Sequence, residues 1–248
     1  MKESYQHLNL LLYYRWKRSY KFYGIIYLIF TLLSAFFLYH KGNPIGWVRY
    51  EVYFGSRPCL MLFFLTLGIL VVYGIATLWY MQLKSNALHR YLLLPKARMA
   101  FMVSEFLMNV TAILCLLLLQ YAIYYMGYRY YMTLAPFYNI QNSYYLSIVR
   151  SSLFKYLFPL TLIQLCIILA SLFTISAVSV YVGIFYQKGR SYLLLAASMI
   201  VIGYVWYYPV GIQFDIQRGL QAALLLVVML LVGYCFHKSM KHNTYGGR

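Results

Sequence analysis

Long hydrophobic stretches separated by short polar segments dominate the chain. Six of them reach roughly 17 residues or more, the length that a helix needs to cross the hydrocarbon core of a bilayer. They are Phe22–Tyr39, Cys59–Tyr80, Phe106–Met126, Tyr156–Val182, Tyr192–Tyr208 and Leu220–Phe236. The pattern predicts an all-α integral membrane protein with six transmembrane helices, in a single transmembrane domain over residues 1–248.

A different periodicity precedes the first stretch. Tyr5, Leu8, Leu12 and Trp16 recur at helical spacing, with polar residues on another face. We therefore expect Ser4–Arg18 to form an amphipathic interfacial helix on the inner leaflet, although a plain basic anchor before the first span is an alternative. No A-x-A-like cleavage site follows the first stretch, so we expect it to stay as a helix and not to be a cleaved signal peptide.

Composition supports the membrane assignment. Hydrophobic residues make up 63% of the chain and charged residues only 10%, too few to cover the surface of a water-soluble globule. The net charge of +17 would favour nucleic acid as a partner of a soluble protein. Here the basic residues lie between the apolar stretches, where they set topology, and nucleic-acid binding is excluded.

The distribution of basic residues predicts the orientation. An even number of spans puts both termini on one side, and cytoplasmic termini leave a minority of the 21 lysines and arginines outside. The outer ones are Lys41, Arg49, Arg57, Arg129, Arg150, Lys155 and Arg218. Because basic residues concentrate in cytoplasmic loops, both termini are predicted to be cytoplasmic, in the cytoplasmic (inner) membrane.

The spans lack the residues that intramembrane chemistry needs. Of the four acids, Glu3, Glu51 and Asp215 fall outside the spans, and Glu105 marks the cytoplasmic edge of the third. The five histidines lie in loops or tails, the four cysteines are isolated, and no G-x-x-x-x-G-K-[ST] phosphate loop occurs. We therefore expect no enzyme activity, metal or cofactor, and a carrier driven by an ion gradient fits poorly.

Uncharged polar side chains within the spans predict helix contacts. Asn109, Gln120 and Gln164 are of this kind, and the fourth span carries a stripe of small residues that includes Thr174 and Ala177. Such residues allow helices to approach closely, and lining a substrate path is the alternative. Pairs of tyrosines near the ends of the spans, such as Tyr13-Tyr14, Tyr124-Tyr125, Tyr130-Tyr131 and Tyr207-Tyr208, predict rings at the headgroup level.

The loop between the second and third spans combines basic, aromatic and apolar residues. A short helix is predicted from Ser85 to Tyr91, and Pro95 suits the first position of the next helix. Arg98 and Glu105 are seven residues apart, so they share a helix face and are predicted to pair. A solvated basic loop without a partner is the alternative.

The segment YLLLPKARMAFMVSEFL resembles the signature between spans two and three of type-2 ABC exporter permeases, with Leu93, Leu94, Pro95 and Arg98 at the matching positions. The resemblance implies a six-span permease subunit that works with a separate cytosolic ABC ATPase and with a second permease copy or a related permease. It also implies a coupling helix docked on the ATPase, which maps onto Ser85, Asn86, Ala87, Leu88, His89, Arg90 and Tyr91, and a smaller contact at Gln187, Lys188 and Arg190. Glu105 and the short last outer loop depart from the family pattern.

Two functions therefore stand side by side at this point. The first is an exporter permease in the lipid bilayer, driven by its ATPase. The second is a multi-span scaffold or assembly factor that transports nothing. The sequence identifies no substrate.

Overall fold

The structure is a computed structural model that describes residues 2–40, 50–54, 57–85, 95–134, 143–151, 162–185, 196–198, 200–202 and 215–245. These residues are helical except at single positions beside helix ends, and no strand occurs among them. The helices are α1 Lys2–His40, α2 Tyr50–Phe54, α3 Arg57–Ser85, α4 Pro95–Leu134, α5 Tyr144–Arg150, α6 Leu162–Ile184 and α7 Asp215–Tyr245. Residues 196–198 and 200–202 are helical as well.

Five helices are long and apolar enough to cross a membrane. Their candidate spans are Asn9–Leu38, Met61–Met81, Met99–Thr133, Leu165–Ile184 and Gly219–Lys238. They fit the predicted class of all-α, multi-pass membrane protein. The fifth predicted span, Tyr192–Tyr208, lies mostly outside the described residues, so a total of six spans and the orientation both stay predictions.

The first helix differs from its prediction. α1 runs without a break from Lys2 to His40, so the predicted boundary between an interfacial helix at Ser4–Arg18 and the first span is absent. Nothing in the sequence forces a stop there, because the segment before Gly24 holds no glycine or proline. A helix of 39 residues is about 58 Å long at 1.5 Å per residue, roughly twice the hydrocarbon thickness.

The helix that contains the third predicted span also extends further than predicted. α4 begins at Pro95, where the missing N–H costs nothing because the first amides of a helix have no intrahelical partner. It continues for 40 residues to Leu134, eight beyond the predicted end at Met126. α5 is a short helix whose N-cap Ser143 accepts a hydrogen bond from the Leu146 amide at 3.4 Å.

The chain divides into two compact units. The first comprises Met1–Arg18, Val71–Thr111 and Cys166–Arg248, and the second comprises Ser19–Leu70 and Ala112–Leu165. The single domain predicted for residues 1–248 stays a prediction.

Helices of the first unit pack closely through small residues. A Cβ atom added at Gly183 of α6 would collide with the side chain of Leu78 of α3, and one added at Gly74 would lie 2.9 Å from Oδ1 of Asn109 of α4. Nδ2 of Asn109 donates to the Ser179 hydroxyl at 2.9 Å. The prediction that Asn109 and the small-residue face of the fourth span form helix contacts is thus confirmed for these residues.

Tyrosines form the interior of the second unit. Tyr50 lies with its ring centroid 4.9, 5.5 and 5.4 Å from those of Tyr124, Tyr128 and Tyr131. Tyr50 donates to the Tyr124 carbonyl at 2.7 Å, and Tyr124 donates to the Ser147 carbonyl at 2.9 Å. Tyr124 and Tyr131 are buried while their neighbours Tyr125 and Tyr130 are exposed. The predicted headgroup position of these pairs stays a prediction. Tyr207 and Tyr208 lie outside the described residues.

Candidate functional site

The first unit contains an ion pair that is almost completely removed from solvent. Nε of Arg15, in α1, lies 3.0 Å from Oε2 of Glu105, in α4, and the two side chains are 5% and 2% exposed. Both residues belong to candidate spans, Asn9–Leu38 and Met99–Thr133. These two ranges, of 30 and 35 residues, are longer than one crossing of a bilayer needs, so the expectation that Glu105 marks the cytoplasmic edge of the third span stays a prediction.

A third helix joins this pair through a threonine. Nη2 of Arg15 donates to the hydroxyl of Thr77, in α3, at 2.6 Å. That hydroxyl donates in turn to the Gly74 carbonyl at 2.8 Å, so it accepts and donates at once. We call Arg15, Thr77 and Glu105 the charged junction; it connects the N-terminal part of α1, the C-terminal part of α3 and the N-terminal part of α4.

A second arginine lies beside the charged junction. Arg18 follows Arg15 by three residues, on the same side of α1, and its positive charge acts on Glu105. The guanidinium carbon of Arg18 lies 5.2 Å from the centroid of the Tyr80 ring, a distance typical of a cation–π contact. Two arginines thus lie near one carboxylate, of which Arg15 forms the ion pair, and this leaves the region with an excess of positive charge.

Burial makes the charged junction sensitive to change. Taking two charges out of water costs several kcal/mol per ion, which their attraction offsets only when geometry and hydrogen bonding are good. Nη1 of Arg15 has no hydrogen-bond partner among the described residues, so the guanidinium is only partly satisfied. The charged junction therefore contributes little net stability, and its main effect is to fix the positions of three helices relative to one another.

Of the predicted site residues, the structure describes Glu105 in full and Ser85, Pro95 and Arg98 only as helix positions. Ser85 ends α3 and Pro95 begins α4, so the segment between these helices connects two members of the junction. Asn86, Ala87, Leu88, His89, Arg90, Tyr91 and Leu94 lie outside the described residues, as do Gln187, Lys188 and Arg190. The coupling helix and the second cytoplasmic contact therefore stay predictions.

Glu105 pairs with Arg15, a partner that the sequence did not predict. The predicted pairing of Glu105 with Arg98, seven residues away on the same helix, stays a prediction. The backbone of Arg98 lies in α4, but its side chain is outside the described part of the structure.

A signal for Arg15 was present in the sequence. Arg15 follows Leu8 by seven residues and Leu12 by three, so it belongs to the apolar face of the predicted N-terminal helix. Trp16, which we assigned to that face, is 54% exposed. A basic residue on an apolar face indicates a buried partner on another element.

The second unit holds a further buried acid. Glu51 of α2 is 4% exposed, and neither of its carboxylate oxygens has a hydrogen-bond partner among the described residues. In α5 of the same unit, burial raises the pKa of the Tyr144 phenol above its ordinary value, so this phenol stays neutral. No group of three or more histidine, cysteine or acidic residues that could hold a metal ion occurs in the described part of the chain.

The cysteines show no pairing. Cys59, Cys115, Cys166 and Cys235 are all free, and Cys115 and Cys166 are exposed on apolar helices.

Comparison of the chain with models of known protein families, with curated proteins and with solved structures found no match.

Proposed function

We propose that the chain is the membrane-spanning permease subunit of an ABC exporter, driven by a separate cytosolic ATPase. The observation that carries the proposal is that the two helices joined by residues 86–94, the α3–α4 loop, both enter the charged junction. This loop ends in the Leu94-Pro95 motif that resembles the permease signature, and both helices that it connects enter the junction through Thr77 and Glu105.

In this arrangement, a movement of the α3–α4 loop is transmitted to the membrane-spanning helices. A force applied to residues 86–94 acts on the end of α3 and the start of α4 together, because the loop connects them directly. Arg15 contacts both helices, so a change in their separation has to stretch the ion pair or the Thr77 hydrogen bond, or else move α1 as well. Packed helices with discrete contacts carry energetic coupling of this kind.

The sequence indicates which subunit hydrolyses ATP in this proposal. The chain has no phosphate loop, so ATP hydrolysis belongs to the partner. A second copy of this chain or a related permease completes the transport path.

The experiment is co-purification of the ATPase with variants of the loop. Replacing Leu88 and Tyr91 with Asp puts charge into the apolar part of the proposed contact. Anchors of this kind are worth about 2 kcal/mol, so the change is expected to lower affinity roughly thirtyfold. Lys84→Gln, as a rim charge, is expected to act more weakly. Co-purified ATPase is measured relative to the amount of permease in the membrane.

Asn243→Asp/Tyr245→Asp in the C-terminal segment is the matched control, since it adds the same two negative charges at predicted cytoplasmic positions outside the loop. If the Leu88→Asp/Tyr91→Asp variant inserts normally and keeps its ATPase in full, the coupling-helix assignment is wrong. A chain that co-purifies with other membrane proteins but with no ATPase is a scaffold or assembly factor instead.

Glu105 favours a second candidate, a carrier driven by the proton gradient, because a buried carboxylate within a span is a usual element of proton relays. The ion pair with Arg15 argues against this candidate. A carboxylate that took up a proton would leave the buried arginine without its counter-charge. Transport that continues with ATP present after the proton gradient is dissipated excludes the carrier.

A further inference from the structure

An apolar groove lies between three helices of the first unit. It is bounded by Met99, Met102, Val103 and Phe106 of α4, by Ala177 and Val180 of α6, and by Phe236 and His237 of α7. Its volume of about 350 Å³ lies within the range of roughly 300–1,000 Å³ that is usual for ligand sites. We call it the α4–α7 groove.

Aromatic contacts hold the walls of the groove in place. The ring of Phe106 lies 5.9 Å from that of Phe173, which joins α4 to α6. The ring of Phe236 lies 5.1 Å from that of Tyr181, which joins α7 to α6. The groove is therefore part of the packed structure of this unit. Its rim is open, since Met99 is 60% and Val103 41% exposed.

The lining defines the chemistry of the occupant. Among the described residues that line the groove, His237 is the one polar residue, and the other side chains are aliphatic, aromatic or thioether groups. Exposed Lys238 follows directly, with its ammonium 5.9 Å from the Tyr234 ring. An occupant that fits has a long apolar body and a polar, negatively charged end.

The position of the groove indicates that the occupant comes from the bilayer. Met99 begins one candidate span and His237 lies one residue before the end of another, so the groove is at the ends of spans and within reach of the bilayer. Lys96 and Arg98 precede Met99 in the sequence, and Lys241 follows Lys238. Basic sites between transmembrane helices at such a membrane surface attract acidic lipid headgroups.

The size of the groove argues against a helix of a second copy. One turn of a helix about 10–12 Å wide fills roughly 400–600 Å³, more than the whole groove. A single hydrocarbon chain is thinner and fits along it.

We propose that the α4–α7 groove binds an acyl chain of an acidic phospholipid from the surrounding membrane, with the headgroup held at His237 and Lys238. This site is independent of the transport proposal, because it depends only on the groove and the charges at its end. It gives the chain a lipid requirement whether it is a permease or a scaffold.

The test is native mass spectrometry of the full-length protein purified in mild detergent. The probes are phosphatidylglycerol and phosphatidylcholine with identical acyl chains. The wild-type protein is expected to retain phosphatidylglycerol in preference to phosphatidylcholine. Lys238→Gln is expected to lower that preference about fivefold, because one basic residue near a membrane surface is worth about 1 kcal/mol.

Filling the groove tests the acyl chain. Ala177→Phe places a ring inside the groove and is expected to abolish the retained phosphatidylglycerol. Val103→Trp narrows the groove from its exposed rim, so it is expected to give the same loss without disturbing buried packing. Ala223→Phe is the matched control, because Ala223 is exposed on α7 and does not line the groove.

Three results would overturn the proposal. The first is that both filling variants bind as much phosphatidylglycerol as the wild type. The second is equal retention of the two lipids by the wild type, which removes the role of the basic residues. The third is that the filling variants no longer form a dimer but bind as much lipid as the wild type. That result would mean that the groove contacts a second copy of the chain.

Discussion

A single arginine connects three helices of this chain. Arg15 contacts Glu105 through Nε and Thr77 through Nη2, so one planar side chain orients two partners at once. A lysine could not reproduce this, because its ammonium is a point charge without the fork of donors. The geometry explains why a charge that is costly to bury is retained in a segment rich in apolar residues.

Removing one charge of the pair is expected to be far more damaging than removing both. Glu105→Gln leaves Arg15 buried without its counter-charge, which is expected to lower the free energy of unfolding by about 3–5 kcal/mol. Replacing both, as in Arg15→Met/Glu105→Leu, removes the desolvation cost and is expected to recover most of that loss. Thermal unfolding in detergent, followed by the loss of monodisperse protein in size-exclusion chromatography, measures both.

Two further arginines serve as controls for this pair. Arg129→Gln removes an exposed charge from α4 and is expected to leave unfolding unchanged. Arg98→Gln is expected to do the same, because Arg15 already neutralises Glu105. A double variant that is less stable than Glu105→Gln alone would show that the pair is not the linked unit described here.

At the scale of helices, close approach depends on glycine. Gly183 of α6 faces Leu78 of α3, which is fully buried, and there is no room for a Cβ between them. The small-residue pattern of the fourth span predicted a close contact but not its partner. A stripe of small residues reports one side of an interface, and only the packed structure identifies the other.

Gly183→Ala is expected to destabilise the first unit. The added methyl meets the Cβ and Cγ of Leu78 at 2.9 and 3.2 Å. Overpacking of this kind costs about 1–3 kcal/mol, which exceeds the roughly 1 kcal/mol that alanine gains over glycine in a helix. Thermal unfolding in detergent measures the difference.

Gly233→Ala is the matched control, because a Cβ at Gly233 of α7 has no atom within 4 Å and the change is expected to be neutral or stabilising. Leu78→Ala makes room for the new methyl, so the double variant is expected to lose less stability than the two single changes added together. Strict additivity would contradict the contact.

The sequence predicted helices better than it predicted their partners. Apolar runs located the five candidate spans, since each run has to satisfy its backbone within a helix. The contacts of Arg15 were not predicted, because its partners Thr77 and Glu105 lie 62 and 90 positions away in the sequence. The apolar face of the N-terminal helix marks Arg15 as unusual, but no local pattern identifies the residues that it contacts.

At the scale of the whole molecule, orientation connects the proposals. The charged junction, the basic end of the α4–α7 groove and the predicted coupling segment all belong to the cytoplasmic side if the termini do. Basic residues favour that side two to one, and the middle outer loop, with Arg150 and Lys155, is the part that conforms least.

Cysteine labelling in intact cells tests this orientation directly. The background is a variant in which Cys59, Cys115, Cys166 and Cys235 are replaced by Ser or Ala. Single cysteines at Asn43 and Asn142 are expected to react with an impermeant thiol reagent, because the positive-inside rule places both outside. Those at Ser85, Gln187 and Asn243 are expected to react only after permeabilisation.

The position at Gln187 makes the experiment sensitive to the number of spans as well. Gln187 precedes the predicted span Tyr192–Tyr208, whereas Asn243 lies beyond both that span and the candidate span in α7. Because two crossings return the chain to the same side, Gln187 and Asn243 are expected to behave alike. Labelling of Asn243 alone from outside would mean that residues 192–208 do not cross the membrane. Labelling of Ser85 from outside would reverse the orientation and remove the basis for an ATPase contact at the α3–α4 loop.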